Sequence, residues 1–307
     1  MAQLAKDSND YHSLLSLRHT AFAQADDFRC LFVYDQRMSY ASALRQELIA
    51  RNAIYAVDKC LPHVTSYGEL PVVVYQPSEC GRHHGNFVSA SYRAILRTPQ
   101  WRKRLLKVHA QGRRSLPAME NAWHELDSSL SSDALLMNIF CYPGITRRAE
   151  VCGILGIESG CTPEFGFLPR APLITNFIER TEVDMRLGNT LFEAKLTEGD
   201  FQTQRAELVQ GYRDFRDVFE TRQLPRSGRS YVSYQLLRNI LAAHALGMDL
   251  CALLDARRPD LLEDWYRVVR CIRHATLRAR CKLLTWQELS QCLPAALRGF
   301  LGLKYGI

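Results

Sequence analysis

The 307-residue chain has no apolar run approaching the 18 residues that a membrane-spanning helix needs, which excludes an integral membrane protein of the helical kind. Its opening, MAQLAKDSNDYHS, is polar and lacks the apolar stretch of a secretory leader, so a cytoplasmic location is expected. No two of the ten cysteines form a close pair. Without an export signal, such scattered cysteines are expected to be reduced thiols, neither a disulfide framework nor cluster ligands. Cys80, His83 and His84 stand close together, but no second pair lies near to complete the four ligands zinc usually takes. There is no internal repeat, no low-complexity linker and no recognisable motif for a nucleophilic serine or cysteine.

What is present is an ordinary globular composition, 47% apolar and 23% charged, with 39 basic and 32 acidic side chains. The basic excess is concentrated. Residues 91–114 hold eight Arg or Lys and no acid, and residues 256–282 hold eight against three acids. The rest of the chain is net acidic, so a polyanion is expected to meet these two segments. Thr98-Pro99 opens a helix predicted to run to about Gly112, exposing Arg102, Lys103 and Lys107. Arg267, Arg270, His274 and Arg278 fall on one predicted helical stripe.

Periodicity predicts helices over residues 10–25, 40–52 and 200–221, and strands at NAIYAVD, LPVVVYQ and MDLCALLDA. ALLMNIFCY, preceded by the capping Ser131-Ser132-Asp133, is apolar nearly all round and is expected to be buried. RRAEVCGILGI and SYQLLRNILAAHAL are further helices, and the last 50 residues read mainly as helical. The expectation is one α/β unit: an extension over 1–130, a core over 131–255 and a helical addition over 256–307.

The chemistry is expected in TEVDMRLGNTLFEAKLTE, residues 181–198. Its residues alternate as a strand does, and Gly188-Asn189 is a two-residue hairpin turn signal. That turn pairs Leu187 with Thr190, Met185 with Phe192, Asp184 with Glu193, and Glu182 with Lys195. Val183, Met185, Phe192 and Ala194 then form the opposite, apolar face. Opposed side chains have Cβ atoms roughly 4.5–5.5 Å apart, so two like charges repel unless a cation lies between them. A divalent ion such as Mg²⁺ takes a few carboxylate oxygens, leaving places for water and phosphate. Lys195 would point at the same place. The bland alternative is a solvated strand face in which Lys195 pairs with Glu182.

Asp184 followed by Glu193-Ala194-Lys195 on the next strand resembles the PD-(D/E)XK nuclease superfamily, whose fold is called restriction-endonuclease-like; the likeness to its bacterial uncharacterised branch covers about residues 130–255. Val183 stands where the motif has Pro. The resemblance implies a mixed β-sheet flanked by helices, with helical N- and C-terminal additions. It implies Mg²⁺ (or Mn²⁺) held by Asp184, Glu193 and the carbonyl of Ala194, with Lys195 as the catalytic lysine. Family members often add an acid from the preceding helix and a Gln from the following one. Glu150 and Gln235 are the candidates here, with Glu179 and Glu182 as alternative acids. The implied activity is phosphodiester hydrolysis of nucleic acid, DNA favoured over RNA, by an endonuclease that could act as a homodimer. A catalytically silent binding module and an unrelated Cys/His metalloprotein are the other readings.

Overall fold

A computed structural model describes residues 38–66, 70–108, 123–175 and 177–307. The helical periodicity over 10–25, together with Gly112, Arg113 and Arg114, lies outside the described residues. Tyr40–Ile307 forms one compact unit. Its main elements are helices α1 (Tyr40–Asp58) and α2 (Ser132–Phe140), strands β1 (Glu164–Phe167), β2 (Val183–Leu187) and β3 (Thr190–Ala194), helix α3 (Tyr234–Leu246), strand β4 (Asp249–Leu254), helix α4 (Pro259–Val269), strand β5 (Cys281–Thr285) and helix α5 (Ala295–Tyr305).

The five strands form one mixed sheet in the order β5-β4-β3-β2-β1. The two β1–β2 and β2–β3 pairs are antiparallel, and β3–β4 and β4–β5 are parallel. This is the α/β architecture expected from the sequence. Strand alternation divides the core. Leu191, Leu250, Ala252 and Leu254 pack with Ile240 of α3 and Trp265 of α4 on one face. Met185, Phe192, Ala194, Cys251 and Leu253 pack with Leu136 and Phe140 of α2, Leu48 of α1 and Leu301 of α5 on the other. Val183 leaves the apolar face expected for it and joins Leu191 on the α3 side.

Several local expectations change. NAIYAVD is not a strand but the end of α1, because Ala56 packs on Val73 and Tyr75 of a separate two-stranded sheet (His63–Thr65 with Val73–Tyr75) and Asn52 bonds across to the carbonyl of Lys304. Short apolar runs do not distinguish strand from helix by themselves. The basic segment forms two short helices, Ser89–Arg97 and Pro99–Arg104, and the second stops well before Gly112. Thr98, preceding proline, is extended, and its hydroxyl bonds back to the Ala94 carbonyl instead of capping forward. Residues 200–221 form a short strand, Gln204–Arg205, and the short helices Ala206–Gln210 and Phe215–Val218 in place of one long helix. The predicted basic stripe is split, since α4 ends at Val269 and the next helix begins at Ala275 with His274 before it. Residues 281–285, within the region read as helical, supply the edge strand β5.

Candidate active site

Gly188, at φ 57°, makes the tight turn between β2 and β3, and the register is the expected one: Leu187 opposite Thr190 and Met185 opposite Phe192. At the far end of this pair the carboxylate enters the ladder. Ala194 N donates to Oδ2 of Asp184 at 2.7 Å. No described residue hydrogen-bonds Oδ1 of Asp184. Lys195 continues from β3, with its amide bonded to the Leu253 carbonyl and its own carbonyl accepting from Trp286 Nε1, so its main chain is fixed from two sides.

The buried carboxylate of Glu193 is held from both sides. Lys195 Nζ lies 2.8 Å from Oε1, Asn239 donates to Oε2 at 2.6 Å, and an Arg238 nitrogen stands 4.0 Å from Oε2. Burial pushes the Glu193 carboxyl up, but Lys195 and Arg238 outweigh it and hold the group below its ordinary range. Lys195 is correspondingly raised: burial opposes its charge, and Glu193, Glu198 and Asp184 more than offset it. Asp184 goes the other way. Burial, then the charges of Glu193 and Asp133, push it well above the carboxylate range, against the weaker pull of Lys195 and the Ala194 amide. Lys195 therefore pairs with Glu193 and not with Glu182, whose carboxylate is taken by Arg104 at 2.6 Å.

The remaining candidates separate. Gln235 lies on α3 one turn before Asn239; its main-chain N donates to the Phe201 carbonyl, and its buried Oε1 has no partner among the described residues. Phe201 in turn packs 5.8 Å from Lys195 Nζ. Glu150 is not brought to this group: Val151 and Leu155 turn inward on its short helix, which leaves the Glu150 side chain 63% exposed beside Arg148. Glu179 bonds the Thr181 amide. The acid that does stand in the field of Asp184 is Asp133, 4% exposed in the first turn of α2. It is bound by Arg104 at 3.0 Å and by Lys107 at 2.7 Å. Asp133 hides in the sequence because an acid after Ser131-Ser132 reads as a helix cap. Asn239 had one signal, its four-residue spacing from Gln235.

Of the cations expected to meet a polyanion, Lys107 is committed to Asp133 and Glu125, and Arg267 to Glu263 and Asp264. Arg102, Lys103, Arg270 and Arg278 are exposed. His84 is a packing residue bonded to Asp127 and the Asn86 amide. The nine described cysteines are free thiols.

Among the described residues no three His, Cys, Asp or Glu side chains form a ready metal cage. The donor set is two carboxylates and the main chain of Ala194. That set suits a cation which keeps water and phosphate as its other ligands. The unbonded Oδ1 of Asp184, repelled by Glu193 and Asp133, supports the fit. In this arrangement Lys195 occupies the place of a cation at Glu193.

A mixed sheet flanked by helices, with Asp184 on one strand and Glu193-Ala194-Lys195 on its antiparallel neighbour, defines a restriction-endonuclease-like protein. A family model described as "Restriction Endonuclease associating with ARP" matches residues 50–306, and the chain belongs to that family. Neither a curated protein nor a solved structure matches the chain.

Proposed function

We propose that the chain is a divalent-metal-dependent nuclease that hydrolyses phosphodiester bonds, with DNA as the favoured substrate. The observation that carries this reading is the convergence of Asp184, Glu193 and Lys195 at one end of the β2–β3 pair. Asp184, Glu193 and the Ala194 carbonyl would hold Mg²⁺ or Mn²⁺, with Asp133 as the further acid in place of Glu150. The ion, when bound, acidifies a water and offsets charge on the phosphate. The surrounding acids raise Lys195 above its ordinary range, which supports a cation that orients the attacking water or neutralises the phosphate over a base. Asn239 and Arg238 fix the rotamer of Glu193, and the free Oε1 of Gln235 is an acceptor available to a water. Association with ARP, named in the family description, is part of the same proposal.

One observation favours a second reading, a nuclease-like binding module: Glu193 already has a charge partner, since Lys195 Nζ stands 2.8 Å from Oε1 as an ion pair while Asn239 donates to Oε2. The deciding experiment incubates the purified chain with Mg²⁺ or Mn²⁺ and single- and double-stranded DNA and RNA. Metal-dependent cleavage that is lost in Asp184→Asn supports the nuclease. Binding with no cleavage of any substrate supports the module.

A further inference from the structure

The chain leaves β3 at Lys195 and turns at once. Leu196 N donates to Oε2 of Glu198 at 2.6 Å, and Ser132 Oγ at the start of α2 donates to Oε1 at 2.5 Å. Arg258, fully buried at the start of α4, holds the main chain of the same turn. Its guanidinium donates to the carbonyls of Leu196 at 3.2 Å, Glu198 at 2.6 Å and Gly199 at 3.0 Å. The charge of Arg258 is balanced by Asp260, 2.8 Å away. The Glu198 carboxylate is thus held by neutral donors and has no ion pair among the described residues. A half-buried carboxylate held this way still lacks a counter-charge. Glu198 stands three residues beyond Lys195, at most about 10 Å away even if the segment were straight. Nζ of Lys195 also stands 5.8 Å from the ring centre of Phe201, which follows on the same segment. Burial opposes the charge of Lys195; of the acids that outweigh it, Glu193 comes first and Glu198 second, ahead of Asp184. The ion pair of Lys195, at 2.8 Å, is with Glu193 and not with Glu198.

We propose that Glu198 is a positioning residue for Lys195: when Glu193 serves as a metal ligand, the Lys195 ammonium leaves it and pairs with Glu198, staying charged beside the phosphate. The inference rests on the nuclease reading of the site. Within that reading, Lys195 holds the very oxygen of Glu193 that a cation would take. The Lys195 side chain is only 6% exposed, so an ammonium released there without a carboxylate would be a buried unpaired charge. Glu193 supplies its partner without metal, and Glu198 supplies it with metal. Only side chains need move. The main chain of Lys195 is tied to Leu253 and Trp286, and that of the turn after it to Arg258. No covalent bond changes and no proton is transferred in this exchange.

The test measures Mg²⁺ and Mn²⁺ affinity by calorimetry on the full chain without substrate. The proteins are wild type, Glu198→Gln, Glu198→Asp, Lys195→Ala, and Glu198→Gln combined with Lys195→Ala. Glutamine can still accept from Leu196 N and bond Ser132, so Glu198→Gln should melt close to wild type in the absence of metal. Its metal affinity should fall about tenfold, the low end of what a neighbouring opposite charge contributes. Glu198→Asp keeps the charge and should bind metal more tightly than Glu198→Gln. In the Lys195→Ala background, Glu198→Gln should change the affinity by less than about twofold, because the lysine through which Glu198 acts is gone. An equal loss in both backgrounds overturns the proposal, since Glu198 would then act on the metal directly. Unchanged affinity in Glu198→Gln overturns it too. In DNA cleavage Glu198→Gln should lower kcat and leave KM near that of wild type; a raised KM at unchanged kcat overturns the positioning role. If wild type binds metal but cuts nothing while the coupling between Glu198 and Lys195 persists, the nuclease reading falls and the exchange of partners stands. If wild type cuts and the coupling is absent, the Glu198 proposal alone falls. If wild type takes up neither ion, both fall.

Discussion

Arg104 binds Asp133, with 3.0 Å between Nη2 and Oδ2, and its other terminal nitrogen lies 2.6 Å from Glu182. It therefore ties the start of α2 to the approach of β2. Gly166 makes the room: a Cβ there would fall 2.4 Å from Arg104 Nη1, on a backbone with φ 65°. Removing one member of a buried pair costs about 3–5 kcal/mol, because the other charge is left uncompensated. Lys107 still reaches Asp133, and Glu182 is half exposed, so Arg104→Ala should lower stability by less, about 2 kcal/mol. Arg104→Ala combined with Asp133→Ala should cost less than the separate losses added together. Urea unfolding of the four proteins measures the coupling. Strict additivity would show that the pair carries no energy.

Asp184→Asn should abolish metal-dependent cleavage and spare nucleic-acid binding. Its effect on stability has the opposite sign from that of most substitutions of a buried charge. The folded-state pKa of Asp184 is raised above the usual 3.8, so the wild type loses stability as pH rises from that value through the raised one. The asparagine variant has no such loss. At neutral pH without metal it should melt no lower than wild type, and Mg²⁺ should stabilise it far less. A clear drop in the metal-free melting temperature would mean that Asp184 is a structural acceptor for Ala194 N and nothing more.

The hairpin was legible because its turn residues and its period-two pattern specify the same register; Gly188-Asn189 decides both. What escaped the sequence was tertiary. Asp133 and Arg104 lie 29 positions apart and meet only because α2 packs beside the short basic helix. A charge count does not see pairing: Lys107 is bound to Asp133 and Glu125 and Arg267 pairs with the exposed Glu263, while Arg102, Lys103, Arg270 and Arg278 stay exposed. Glu150 and Asp133 are both acids in a first helical turn, and only packing tells the solvent-facing one from the buried one.

Lys304 is fully buried on α5 against the rings of Tyr75 and Tyr305, bonded to Asn86, with no carboxylate partner among the described residues. Burial holds its pKa well below 10.5. Below 10.5 the unfolded chain takes up a proton that the folded one resists, so stability should rise as pH is raised toward that value. Lys304→Met keeps the volume and removes the charge. It should be neutral to stabilising near pH 7, with a flatter dependence of stability on pH in the alkaline range. Steep destabilisation at every pH would show that the bond to Asn86 matters more than the buried amine.

Lys195→Ala separates ligand from catalyst. The substitution leaves Glu193 buried with Asn239 and the more distant Arg238, so the burial effect is no longer offset and its folded-state pKa should rise above the usual 4.5. The sign of this group's contribution to the pH dependence then reverses. In wild type the depressed pKa contributes stability above pH 4.5 that is lost as pH falls through the folded value; in the variant stability should be greatest at low pH and fall as pH rises past 4.5. Asp184 already makes wild type lose stability as pH rises, so thermal melts between about pH 4 and 8 should fall more steeply in the variant than in wild type, against a neutral-pH loss of about 3 kcal/mol. Divalent metal should restore much of that loss, since an ion can take the charge-balancing place that Lys195 left. Free Mg²⁺ at 100 times its dissociation constant would add about 2.7 kcal/mol. The variant should thus bind metal at least as well as wild type while cutting poorly. If instead it cuts at the wild-type rate, Lys195 serves only to keep Glu193 charged, and the water or phosphate must be managed by another group.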